Sequence, residues 1–128
     1  MSTARELLES AHRRFLDRDL DGVVDLVAED VVIENPFAPE GFPRRIEGRE
    51  SFRARLTERF AGSGVVFERY EPVTVHQTAD PDVIIVEFEL HGRVPSLDRA
   101  FSRQYIQVLR ARDGKIAHWR DYFNPAQT

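Results

Sequence analysis

One carboxylate in this chain stands where chemistry is expected of it. Asp121 lies in the run Asp113-Gly114-Lys115-Ile116-Ala117-His118-Trp119-Arg120-Asp121-Tyr122-Phe123-Asn124-Pro125. Asp113-Gly114 reads as a hairpin turn, so the residues after it form a strand. Side chains alternate across a strand, which sends Ala117, Trp119, Asp121 and Phe123 to one face. Three of these four are apolar or aromatic. A carboxylate on such a wall is costly unless it is paired, hydrogen-bonded or protonated, and costly polar groups in apolar surroundings are candidates for function. As a general acid or base, Asp121 needs a pKa raised toward neutrality by its apolar neighbours. The competing reading is an ion pair with Arg103 or Arg120 that merely closes the structure.

Other side chains can serve such a group. Tyr105 can donate a hydrogen bond to a carbonyl or developing oxyanion, or be an ordinary strand tyrosine with its hydroxyl at a rim. Arg103 can hold an anionic or carbonyl group, or pair with Asp121 or a surface glutamate. Asn35 can orient a ligand or a water, and Trp119 can wall a pocket or stack on a flat ligand. Of the histidines at positions 12, 76, 91 and 118, no pair has a metal-ligand spacing, so no metal site is expected. His91 and His118 fall in the outward phase of their strands, whereas His12 sits on the first helix and is kept as a pocket residue. No phosphate loop, dinucleotide fingerprint or nucleophile elbow is present, so no cofactor is expected and covalent catalysis has no support.

The composition narrows the classes of function. The chain has 128 residues, 41% hydrophobic, 10% aromatic and 31% charged, with a formal net charge of −4. That is one folded domain, residues 1–128, with a well-solvated surface. Mild acidity with interspersed arginines argues against a nucleic-acid partner. With no cysteine, disulfides and thiolate chemistry are excluded. No apolar run approaches the ~18 residues of a membrane span and the start lacks a signal pattern, so a cytoplasmic protein away from membranes is expected.

The elements that would position these residues can be read from periodicity. Ser2-Thr3 precedes an amphipathic helix with Leu7, Leu8, Ala11, Phe15 and Leu16 on one stripe. A short second helix is predicted from Leu20 or Asp21 to Ala28, then a strand over Val31–Asn35 stopped by Pro36. The Pro36–Pro43 loop is aromatic, and Phe37 and Phe42 suggest that it folds over the core edge or a ligand. Gly48 opens a third helix with the stripe Phe52, Leu56 and Phe60, closed by Gly62 and Gly64. Strands follow over Val65–Gln77, interrupted at Pro72, and over Val83–Val94, Phe101–Arg112 and the last segment.

This order predicts an α+β domain: a cone-shaped, curved antiparallel sheet packed on three N-terminal helices, with an internal pocket. Its inner wall would be Ile33, Ile84, Val86, Phe88, Leu90, Trp119 and Phe123, with Asn35 and Asp121 as the polar residues among them. Arg103, Tyr105 and Gln107 form a further set whose phase stays open, because Ile106 and Val108 make the opposite face apolar too. Burial of that outer face in a homodimer would explain this double pattern. The expected partner of the pocket, lined by Asn35, Trp119, Phe88, Phe123, Val86, His12 and Phe37, is an apolar small molecule.

Several local patterns carry a family resemblance. They are Asp19-Leu20-Asp21-Gly22-Val23-Val24, Glu29-Asp30-Val31-Val32-Ile33-Glu34-Asn35-Pro36, Ile46-Glu47-Gly48-Arg49-Glu50 and Asp113-Gly114-Lys115-Ile116. With the element order, they resemble the SnoaL-like polyketide cyclase and ketosteroid-isomerase-like branch of the nuclear transport factor two-like superfamily, over nearly the whole chain. The ending Arg120-Asp121-Tyr122-Phe123-Asn124-Pro125 also looks like relatives that act in phenazine biosynthesis. The resemblance implies a small dimer with a deep conical pocket and a reaction such as isomerisation, aldol cyclisation, dehydration or epoxide opening.

Residue by residue, the steroid-isomerase mechanism does not carry over. The general base of those enzymes falls on Asn35, an amide that cannot accept a proton at neutral pH. Their tyrosine falls near Ala11 or His12, and their protonated aspartate near Arg103. The glutamate of the phenazine relatives falls on Ser102. The cyclases and epoxide hydrolases place an acid–base aspartate on the last strand, where this chain has Asp121. The resemblance therefore implies an enzyme with Asp121 as the acid–base group and Tyr105 or Arg103 polarising an oxygen. A non-catalytic binding or accessory protein with the same pocket is the alternative.

Overall fold

Three helix starts and one turn organise the chain. The structure is a computed structural model, and it describes residues 1–62 and 64–124. Thr3 caps the first helix, α1 (Ala4–Leu16), through a capping box in which the Thr3 hydroxyl accepts from Glu6 N and the Glu6 carboxylate accepts from Thr3 N at 2.9 Å. Leu7, Leu8 and Ala11 on α1 are buried, with Phe15 and Leu16 half-buried beside them. Asp19 caps the second helix, α2 (Leu20–Val24). This helix ends earlier than Ala28 because Val27 already pairs with Ile116 as the start of β1 (Val27–Glu34). Phe52 and Leu56 bury one face of α3 (Arg49–Ala61), which starts after Gly48 in a left-handed conformation (φ 94°).

The remaining strands are β2 (Arg45–Glu47), β3 (Val66–Gln77), β4 (Val83–Val94), β5 (Arg99–Arg112) and β6 (Lys115–Phe123). They form one sheet in the order β2-β1-β6-β5-β4-β3. Asp113 (φ 53°) and Gly114 (φ 75°) make the turn between β5 and β6, where two positive φ values match the twist of a tight hairpin. The pairing of β3 with β4 shifts register between Tyr70 and Val73, around Pro72, since proline offers no donor to the ladder. β5 begins two residues before Phe101, as Arg99 pairs with Val94.

Two features depart from the expected sheet. β1 runs parallel to β6, so the sheet is mixed; a parallel neighbour needs a long crossover, and here residues 35–114 separate the two strands. The short β2 pairs with β1 as an edge strand and is too short to leave an alternating signature. Phe67 and Tyr70 on β3 line the same cavity as Ile33 on β1, although these strands lie near opposite sides of the sheet. The sheet therefore curls around its own inner face, with α1 and α3 packed there. Among the described residues, no helix is long and apolar enough to cross a membrane.

Candidate functional site

The inner face of the sheet does not fill completely. It leaves a cavity of about 400 Å³ between α3, the 38–43 loop and strands β1, β3, β4, β5 and β6. The β5–β6 hairpin supplies its polar end, because its register sets Gln107 opposite Asp121, Tyr105 opposite Phe123 and Leu109 opposite Trp119. Inward phase on β5 thus belongs to Arg103, Tyr105 and Gln107, and Ile106 faces out at 45% exposure. The curl of the sheet makes that choice, since both faces of β5 carry apolar residues.

Asp121 sits in a chain of two hydrogen bonds. The Gln107 Nε2 amide donates to Asp121 Oδ1 at 3.1 Å, and the Trp119 indole N–H donates to Gln107 Oε1 at 2.9 Å. An indole can only donate, so it fixes which end of the amide faces the carboxylate. Among the described residues, no lysine or arginine comes within 4.0 Å of the Asp121 carboxylate. Arg120 turns instead to Glu34 on the outer face at 3.6 Å. Burial pushes the Asp121 carboxyl up from 3.8 to about 6, against the Gln107 hydrogen bond and the charge of Arg59, which both favour the ionised form. A carboxyl poised there can give or take a proton near neutral pH.

The walls around it are aromatic. Tyr105 is buried and stacks on Phe88 with ring centroids 5.1 Å apart, while Phe123 lies 6.2 Å from Tyr105. Trp119 meets Phe52 from α3 at 6.4 Å. Asn35 lines the cavity beside Ile33, its backbone tied to Arg44 and Ala38. Arg103 also lines it, and its Nε is buried with no hydrogen-bond partner.

Four residues expected on the inner wall or at the pocket, Ile84, Val86, His12 and Phe37, are absent from the cavity lining. Val86 is fully buried beneath the cavity, in the core with Ile84, because the layer of aromatic side chains above it forms the lining. His12 stands behind the wall. Its ring lies flat on Tyr70 (3.8 Å between centroids, 3° between planes) with its edge to Phe88, and burial holds it neutral by lowering its pKa to about 4. Phe37 leaves the cavity and packs on Tyr122 at the outer face, with centroids 5.3 Å apart. Phe42, from the same loop, lines the cavity instead. The bulge between His118 and Ile116 also breaks the alternation on β6, so Ile116 joins the core cluster and Ala117 does not.

Sequence reasoning missed Tyr70, Arg55 and Arg59, which line the cavity from β3 and α3. Arginines on a polar helix face look like solvated charges, and only the packing of α3 across the cavity mouth turns them inward. The outward histidines are held by acids: His76 by Glu87 at 2.6 Å, and His118 by Glu34, whose carboxyl is kept below the usual range mainly by that hydrogen bond.

Comparison with known proteins adds to this geometry. The model of the SnoaL-like domain family matches residues 8–119. A PhzA/B-like protein of Pseudomonas aeruginosa, PA3332, is 38% identical over 95% of the chain and 84% of its own length. YesE of Bacillus subtilis is 33% identical over 95% and 82%. A solved structure from B. subtilis, provisionally assigned as an isomerase, superposes with a TM-score of 0.87 at 33% identity, covering 95% of this chain and 86% of its own. An LEH-like epoxide hydrolase of Mycobacterium tuberculosis superposes with a TM-score of 0.66 at 26% identity (94% and 81%). Rv0760c of M. tuberculosis, solved in complex with estradiol-17β-hemisuccinate, shares the fold with a TM-score of 0.75 at 24% identity (97% and 95%).

Proposed function

Because the chain belongs to the SnoaL-like domain family, within the nuclear transport factor two-like superfamily, we propose that it is a small-molecule enzyme of a biosynthetic or degradative pathway. It performs cofactor-independent acid–base chemistry on an apolar ligand in the cavity: cyclisation, isomerisation, dehydration or epoxide opening. The observation that carries this reading is Asp121, a carboxyl raised to about 6 in an apolar cavity, with the Gln107 amide bonded to one oxygen. Asp121 moves the proton. Tyr105 or Arg103 polarises the substrate oxygen, and Asn35, Trp119, Phe88 and Phe123 hold the apolar body.

Turnover of a panel of epoxides, β-hydroxy ketones and 1,3-dicarbonyl esters, followed by mass spectrometry, tests the assignment. Asp121→Asn is expected to lower kcat by about 10²–10⁴-fold on any converted compound while leaving its binding nearly intact. Conversion that survives in Asp121→Asn removes Asp121 from the mechanism. A second reading, a non-catalytic binder of the same fold, is favoured by one observation: Asp121 is the single carboxylate among the cavity-lining residues described. Compounds that bind without conversion by the wild type decide for it.

In the same reading the protein is a cytoplasmic homodimer joined through the outer sheet face. The support is an apolar hollow there, lined by Phe37, Pro72, Ile106 and Tyr122, with Ile106 and Val73 exposed at 45% and 43%. Ile106→Asp is expected to convert a dimer into a folded monomer, read by analytical ultracentrifugation. Sedimentation of the wild type as a monomer at tens of micromolar would remove the dimer.

A further inference from the structure

The cavity that holds Asp121 has a neighbour at Tyr105. A second hollow of about 310 Å³ shares Arg59, Phe67, Leu90, Arg103 and Tyr105 with it, so the two adjoin at these side chains. This outer hollow has apolar sides, from Val94, Leu97 and Phe101, and three guanidinium groups, from Arg59, Arg99 and Arg103. No carboxylate among the described residues lines it. Among the same residues, neither Arg99 nor Arg103 has an acidic side chain within 4.0 Å. Asp98, the neighbour of Arg99 in sequence, turns to Arg93 at 3.3 Å instead. The buried, unpartnered Nε of Arg103 leaves a donor whose desolvation nothing in the described protein offsets.

The sheet gives the distance across the two hollows. Gln107, opposite Asp121, and Arg103 lie on the same face of β5, four residues apart. At about 3.3 Å per residue, ~13 Å of strand separates the two ends. A negative group beside Asp121 would be repelled by it once the carboxyl ionises; Arg55 and Arg59 also line that inner end, whereas Arg99 and Arg103 attract the group at the outer end, where no carboxylate among the described residues competes. We propose that the two hollows open into one cleft that takes an elongated apolar molecule ending in a carboxylate, which Arg103 and Arg99 hold while the reacting end lies ~13 Å away against Asp121. The planar fork of a guanidinium suits a carboxylate, and the charge fixes which end of the ligand enters first. This rests on the reading of the cavity as a small-molecule site and adds to it the substrate class and the orientation, with Arg103 at the carboxylate end and Tyr105 left to polarise the reacting oxygen.

The probes for the test are 4-(pyren-1-yl)butanoate and its primary amide, which share one apolar body and differ in charge. Trp119 is the single tryptophan of the chain and lines the inner compartment, so energy transfer from it to pyrene reports occupancy of this cleft. The wild-type protein is expected to bind the butanoate about 10- to 100-fold tighter than the amide, the range of one charge-assisted hydrogen bond. Added salt should narrow the gap. Arg103→Gln and Arg99→Gln should each narrow it as well, by weakening the butanoate far more than the amide. Arg99 is exposed, so its variant does not depend on core folding. Energy transfer with equal affinities, or a preference unchanged in both variants, overturns the carboxylate assignment and leaves the cavity reading in place. No energy transfer from either compound overturns both.

Discussion

Asp121→Asn is expected to stabilise the folded protein by about 3 kcal/mol at pH 8 and by less than about 1 kcal/mol at pH 4. Burial raises this carboxyl from 3.8 to about 6, so the native state holds the proton more tightly than the unfolded chain. The stability tied to that proton is present in full below pH 3.8 and is lost as pH rises through 6. Above that, the wild type carries the whole cost of a buried carboxylate, each tenfold difference in proton affinity being worth about 1.4 kcal/mol. Asparagine keeps the shape and still accepts from Gln107 Nε2 while removing the charge. Urea unfolding of both proteins at pH 4, 5, 7 and 8 measures the difference. A gain independent of pH would mean that the carboxylate is as well solvated in the fold as outside it. Set against the roughly 5–15 kcal/mol that holds a typical domain together, a group this costly is one that selection for stability alone would remove.

His12 carries the opposite dependence. Its pKa falls from 6.5 to about 4 on burial against Tyr70 and Phe88, so the unfolded chain takes up its proton first. Stability from the neutral ring is full above pH 6.5 and is lost as pH falls toward 4, by about 3 kcal/mol in all. His12→Phe keeps an aromatic ring against Tyr70 and removes both that loss and the buried Nε2 that has no partner. Between pH 4 and 6 the two titrations nearly cancel in the wild type. The variant is therefore expected to grow more stable as pH falls through this window, while Asp121→Asn loses stability faster than the wild type does. The carboxyls held low by partners, exposed Glu6 and Asp30 and half-buried Glu34 and Asp80, are common to all three proteins and drop out of the differences. Parallel unfolding curves for wild type and His12→Phe across this pH range would show that the ring is protonated as easily inside the fold as outside.

The parts of the fold carried by local chemistry were legible in the sequence. Ser2-Thr3, Gly48, the clean alternation from Val83 to Val94 and the Asp113-Gly114 turn each act within a few residues, and each element formed where they pointed. The phase of β5 could not be read, because apolar residues on both faces give the same pattern whichever side the sheet curls toward. His12 and Phe37 were placed by element and not by packing. One turn of helix, or five residues of loop, separates a ring behind the wall from a ring in the cavity, and periodicity does not resolve that. Gln107 was legible only as one member of an ambiguous set. Its importance comes from Trp119 and Asp121, with which it is aligned only once β5 and β6 pair. Arg59 and Arg99 gave no local signal, since nothing near them in sequence marks the cleft they share.

The parallel pairing of β1 with β6 also sets an order of assembly. The strands from β3 to β6 meet their neighbours through short connections, so they can zip together early and at little entropic cost. Glu34 and His118, which join β1 to β6 across the outer face, stand 84 positions apart. With β3 to β6 already paired, residues 35–65 make the loop that remains to be closed, and its contacts reward the chain only after it is closed. The cavity draws Asp121 and Trp119 from β6 but Ile33 and Asn35 from β1 and the loop after it, so it comes into being with that final docking. A chain stalled one step short would present its aromatic wall to solvent, as a sticky open hairpin array.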